Sequence, residues 1–278
     1  MNTANTDITK FKIIVVEWLR DNDVKTGKEL YDDILCPKEI QNENIKCEYH
    51  SVSTKKDFIK VFKLIEDNLQ DGEIATLQIE SHGSDEGIGV SPIEFVTWKE
   101  FYDLIRPINI KNGGLLFVCL SMCVSCASLS SIEPNKRAPY LAMIATTDKM
   151  LPDDLYNSFV DFYESYNYIL DIAAFQKMAN GVKRSDGKPA FVLYKAEDVF
   201  DWTFDIDRDS QNKKHLINEC YIQGKMKNPN YTKEQAEKDL ITIFEEAKSH
   251  RDYYCFKDIY GGSKEEQQKD NNEKYSNN

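Results

Sequence analysis

Apolar residues in the first two thirds of the chain fall into short blocks, separated by stretches in which they recur every three or four positions. Six blocks predict strands: 12–19 (KIIVVEWL), 45–52 (IKCEYHSV), 73–80 (EIATLQIE), 114–122 (GLLFVCLSM), 140–147 (YLAMIATT) and 190–196 (AFVLYKA). The first is apolar almost throughout, as a strand covered on both faces is. The fourth opens at the turn signal Asn112-Gly113-Gly114. Between the blocks the period lengthens to that of a helix. Phe58, Val61, Phe62, Ile65 and Leu69 share one stripe, behind candidate N-caps at 53–57. Thr97 precedes Glu100 by three residues, the spacing of a capping box at the head of a helix over 97–105. The stretch 151–166 carries an early Pro and acidic residues, both favoured in a first helical turn, and 169–180 stops before Gly181. Two short apolar pieces around Ser91-Pro92 predict a small hairpin within 87–98. Beyond residue 200 the pattern turns polar and helical, at 213–226 and 232–250, and 261–278 has almost no apolar content, as a disordered tail would.

Strands alternating with helices predict a central six-stranded, mostly parallel sheet in a three-layer α/β/α sandwich, with helical additions at the C-terminus. The expected organisation is an α/β domain over 1–200, a helical extension over 201–260 packed on it, and the tail at 261–278. In such folds ligands gather at the carboxyl ends of the strands. Composition narrows the partners. Lys and Arg total 35 against 47 Asp and Glu, for a net charge of −12 in 278 residues. That balance disfavours phosphate backbones and anionic membranes, so neither nucleic acid nor membrane is expected as a partner. No apolar run has the length of a membrane span, and the first ten residues hold no apolar leader core. Seven cysteines at irregular spacing do not form a disulfide framework. A cytoplasmic, reducing setting with free thiols is the expectation.

The chemistry stands just after two strands. Ser81-His82-Gly83 follows the third and Ser121-Met122-Cys123 the fourth. If those strands are neighbours, about 5 Å apart, an imidazole and a thiol share one rim of the sheet. A thiolate attacks a carbonyl well, and an imidazole can take the thiol proton and return it to the leaving group. Gly83, without a side chain, would let a backbone N–H approach an oxyanion, with the Cys123 amide as a second donor.

These residues carry a resemblance. The runs 77–90 (LQIESHGSDEGIGV) and 114–123 (GLLFVCLSMC) resemble the His-Gly and Cys strand ends of caspase-like peptidases, particularly the bacterial CHAT-type group. The stretch EFVTWKEF is similar to that group's hairpin leading into a helix, and 140–166 to its next strand, loop and aromatic-rich helix, so the likeness spans about residues 73–175. It implies a cysteine endopeptidase with Cys123 as nucleophile and His82 as proton carrier, with no metal or cofactor. It also implies a protein or peptide substrate, and switching by an activating protein or small signal molecule within a bacterial defence system. The loop after the fifth strand, Thr146, Thr147 and Asp148, together with Ser121, would line the substrate pocket. Two departures limit the carry-over: the Q-A-C-x-G signature is absent, and Ser121 stands where metacaspases have Asp. Neither family's cleavage preference transfers. The acids Asp148, Asp153 and Asp154 suggest a site for a basic residue before the scissile bond, although Asp153 and Asp154 also suit the start of a helix.

Other readings remain open. A caspase-like fold without activity could serve as an adaptor or ligand sensor. Cys123 and Cys126 form a C-x-x-C pair, which invites a dithiol oxidoreductase. A zinc site from Cys119, Cys123, Cys126 and His82 lacks a second ligand pair of regular spacing. Asp205, Asp207 and Asp209 lack the Gly and Glu that complete a calcium loop. Cys119 and the three tryptophans, Trp18, Trp98 and Trp202, are expected in the core.

Overall fold

A computed structural model describes residues 10–166, 171–184 and 186–260; the predicted tail at 261–278 lies outside them. The chain divides into two compact units. The first runs to Ile132 and resumes over Ala138–Ala196; the second comprises Glu133–Arg137 and the chain from Glu197 onward.

In chain order the first unit contains β1 (Lys10–Trp18), α1 (Thr26–Leu30), a π-helical turn (Tyr31–Leu35), α2 (Cys36–Gln41), β2 (Ile45–Ser51), α3 (Lys55–Asn68), β3 (Glu73–Ser81), β4 (Gly87–Gly89) and β5 (Phe95–Thr97). It continues with α4 (Trp98–Lys111), β6 (Phe117–Ser121), a 3₁₀ helix (Ser125–Ser131), β7 (Ala142–Thr146), α5 (Pro152–Ser165), α6 (Ile172–Gly181) and β8 (Phe191–Lys195). Six strands form one sheet in the order β2-β1-β3-β6-β7-β8, with β8 alone antiparallel; β4 and β5 make the small hairpin. The architecture is a three-layer α/β/α sandwich.

Both faces of the sheet are covered, which is why β1 reads as an unbroken apolar run. Ile13 and Val15 join a cluster with Leu30, Phe159, Phe162 and Met178, on the face of α1, α5 and α6. Trp18 points the other way and stacks on Phe58 of α3 with ring centroids 4.6 Å apart. Phe62 meets Phe101 of α4 on that same side. Each such fully buried large side chain contributes about 1.5–3 kcal/mol. The capping box at Thr97 and Glu100 forms as its spacing predicts, and α4 runs on through Pro107 to Lys111. β6 starts three residues later than the block 114–122 suggests. Gly113 and Gly114 take positive φ and complete a turn first, which any side chain would strain.

β3 holds a surprise for pattern reading. Thr76, Gln78 and Glu80 alternate with Ala75, Leu77 and Ile79, as in a strand with one wet face, yet all six are buried. The polar row lies beneath α5, where Thr76 bonds Tyr166 Oη and Gln78 accepts from Tyr163 Oη, both at 3.0 Å. The helical segment over 26–41 has no counterpart in the sequence reading, because Gly27, a π turn and Pro37 break its period.

The second unit is helical: α7 (Ala196–Thr203, from Glu197 on), α8 (Ser210–Lys227), α9 (Lys233–Ser249), α10 (Arg251–Tyr254) and α11 (Lys257–Tyr260). Phe200 packs on Phe204 and Tyr254. Arg137 stacks over Tyr253 at 4.0 Å and pairs in a fork with Asp258. Trp202 is 45% exposed, so the core position expected for it is corrected; its ring lies under the Arg208 guanidinium instead. Among the described residues no helix is long and apolar enough to cross a membrane.

Candidate active site

The order of the sheet reverses at β1. Its connection to β2 runs through α1 and α2 on one face, and β2 returns to β3 through α3 on the other. The loops leaving β1 and β3 therefore part, and a crevice opens beyond their carboxyl ends, where α/β folds place ligands. A cavity of about 410 Å³ occupies that crevice. The loop after β1, the ends of β3 and β6 and the start of α5 line it, with His82 and Cys123 both in its wall. A larger cavity, about 600 Å³, lies in the helical unit beside Trp202 and Arg208, but no histidine or cysteine lines it.

His82 and Cys123 both reach this cavity because β3 and β6 are parallel neighbours in a register that pairs Glu80 with Ser121, so each residue stands two places further on. Gly83 reports how close the two strand ends come. A Cβ built there would lie 2.2 Å from the Cys123 carbonyl oxygen and 2.9 Å from the Met122 side chain. Only glycine fits. The β4–β5 hairpin fixes this residue from the other side, through Gly89 N–H to the His82 carbonyl at 3.1 Å and Ser84 N–H to the Gly87 carbonyl at 2.9 Å. Those bonds flank the Gly83–Ile88 bridge and leave the Gly83 amide out of it.

His82 is half-exposed and its Nε2 lies 2.7 Å from Asp23 Oδ2, in the loop after β1. Partial burial works against the Asp23 charge, but the bonds from His82 and from the Arg20 N–H outweigh it and hold the carboxyl below its ordinary value. An ionised carboxylate only accepts, so Nε2 carries the proton and Nδ1 is left as the base. Asp23 had no signal in the sequence; one acid among several in a polar loop is marked only by what it reaches in space.

Cys123 stands on a sharp turn from strand into 3₁₀ helix. Val124 adopts φ 52° and ψ 26°, a left-handed conformation that costs a β-branched residue about 1–2 kcal/mol. The turn is tied down around it. Val124 N–H donates to the Asp148 carbonyl at 3.1 Å, the Thr146 hydroxyl donates to the Met122 carbonyl, and the Ser125 Oγ accepts from the Thr146 N–H at 2.8 Å. The thiol itself bonds with Met150, whose N–H approaches Sγ at 3.4 Å and whose carbonyl lies 3.7 Å away.

The predicted substrate-lining residues separate. Ser121 does line the cavity, with its Oγ buried and facing Glu80. Thr146 is fully buried and braces the turn that carries Cys123; Thr147 bonds the Ala190 carbonyl. Asp148 faces Arg184 at 3.9 Å, and Asp153 and Asp154 sit in the first turn of α5. None of these five lines the cavity. Cys119 is buried mid-strand, and Cys126 lies half-buried in the 3₁₀ helix, where burial raises its thiol pKa. All seven cysteines are free. Among the described residues no group of three His, Cys, Asp or Glu side chains could hold a metal ion.

Glu80 is the second acid that lines the cavity, with Asp23. It is 3% exposed and accepts from Gln78 Nε2 and Thr26 Oγ1, each at 2.8 Å. Burial pushes its carboxyl up to about 7; Gln78, Ser121 and Thr26 hold it back, and the charge of Glu17 adds to the rise. Glu17, its partner across the β1–β3 pairing, caps α1 by accepting from the N–H groups of Gly27 and Lys28.

In comparison with known proteins, no family model matches the chain, and no curated protein matches it.

Proposed function

We propose that the protein is a caspase-like cysteine endopeptidase of the CHAT-type group. One observation carries the reading: the contact of Gly83 with the Cys123 carbonyl, which brings an imidazole and a thiol from adjacent strand ends into the wall of one cavity. In the proposed reaction the Cys123 sulfur attacks a peptide carbonyl carbon as its proton passes to His82 Nδ1. The Gly83 and Cys123 amides stabilise the oxyanion. The C–N bond then breaks, His82 protonates the departing amine, and a thioester remains. Water, deprotonated by His82, cleaves the thioester and restores the thiol. Asp23 holds the ring in the tautomer this requires.

The loop over 147–151 is where an activating protein or signal molecule would act. In the structure it engages the thiol through Met150, and release of that grip would free Sγ for His82. The dithiol reading is weaker, since burial disfavours the Cys126 thiolate that exchange requires.

Replacing Cys123 with Ala tests the proposal. Turnover of peptide or protein substrates is expected to fall by at least about 10³-fold. The unfolding midpoint should shift little, because one half-buried sulfur is lost. An electrophilic thiol probe should label Cys123 in the wild type. Turnover that survives the substitution ends the peptidase reading.

A further inference from the structure

Resting on the peptidase reading, we infer that the cavity beside Cys123 receives a Lys or Arg side chain from the residue preceding the scissile bond, and that Glu80 at its floor recognises the cation. Depth supports this. Glu80 lies two residues below His82 along β3, about 7 Å deeper at the rise of a strand, a distance that a long side chain spans and a short one does not. The walls suit it as well. Val24, Met122, Met150 and Leu155 offer apolar contact for an alkyl stem, which Lys and Arg bury readily while seeking a polar end for the charge.

Charge supplies the third argument. Asp23 and Glu80 line the cavity, and no Lys or Arg does among the described residues. The cations closest in sequence are engaged elsewhere: Arg20 bonds the Val90 carbonyl, and Lys25 bonds the carbonyls of Leu19 and Arg20. Asp23 is committed to His82. Among the described residues the groups that bond Glu80, Thr26 and Gln78 with Ser121 facing it, are neutral, and it stands beside Glu17, an acid likewise held by N–H and hydroxyl groups. A buried carboxyl with no cationic partner favours an incoming cation and repels an incoming carboxylate. Burial holds Glu80 near neutrality at its raised pKa, so a bound cation would draw it into the ionised form.

The test uses the full chain and four peptidyl acyloxymethyl ketones that differ only in the residue next to the warhead: Lys, Arg, norleucine and Asp. Norleucine keeps an alkyl stem like that of Lys and removes the charge. Covalent addition at Cys123 is followed by intact mass. Lys and Arg probes are expected to label at least about 10-fold faster than norleucine, with Asp slowest, because a site built for a polar group rejects analogues lacking it. In Glu80→Gln the Lys-to-norleucine ratio is expected to fall towards one. Norleucine labelling as fast as Lys in the wild type overturns this inference and leaves the peptidase reading standing, and the wild-type comparison holds even if the variant folds poorly. If no probe labels Cys123, both fall.

Discussion

Glu80 is the residue where the site and the stability of the fold pull apart. Its carboxyl, ordinarily near 4.5, sits at about 7 when folded. Between those values the native state binds the extra proton, so stability falls as pH rises. The contribution is whole below about 4.5 and shrinks through the window; above 7 the displaced pKa costs about 3 kcal/mol. The groups that face Glu80 come from every side: Glu17 from β1, Thr26 from α1, Gln78 from β3, Ser121 from β6; Cys119 and Tyr163 also interact with its charge. Glu80→Gln keeps the shape and removes the titration. Urea unfolding should therefore show the variant gaining on the wild type from pH 4.5 to pH 8, by about 3 kcal/mol in all. A difference that stays constant over that range would mean that Glu80 ionises normally. No sequence pattern announces this residue, since an acid alternating with apolar neighbours reads as a surface position.

Among elements, the ends of β3 and β6 decide whether a site exists. That both are strands, and that His82 and Cys123 follow them, was legible in the sequence from apolar blocks and their flanking residues. Their adjacency was not, because strand order depends on which way each crossover turns. Gly83→Ala probes the adjacency directly. A methyl group 2.2 Å from the Cys123 carbonyl must force the two strand ends apart. The expected result is a loss of about 2 kcal/mol or more in stability together with loss of thiol labelling at Cys123. A variant as stable and as reactive as the wild type would show that the strand ends do not touch. The loop after β7 teaches the converse lesson. Thr146 was expected to face substrate, yet it ends a strand pointing inward, and its hydroxyl serves the backbone of the turn that bears Cys123.

At the scale of the molecule, the chain divides near where its pattern turns polar, with one exception that pattern could not show: 133–137 belongs with the helices beyond 197. Arg137 ties that segment into the helical unit, stacked on Tyr253 and Phe256 and paired with Asp258. Arg137→Ala should cost about 1–2 kcal/mol within that unit. Hydrogen exchange at 251–260 would speed up while the strands of the sheet keep their protection; unchanged exchange at 251–260 would leave Arg137 without this structural role. By itself the sequence determined the six strands and the longer helices, the three-layer class and the places of His82 and Cys123 just after two of those strands, because periodicity and strand-end residues are local properties of the chain. The tertiary structure alone decided that β3 and β6 lie side by side, that Asp23 reaches His82, and that Glu80 is buried under the cavity. Each of these depends on residues far apart in the chain being brought within a few ångströms by the crossovers, and no local pattern encodes that distance.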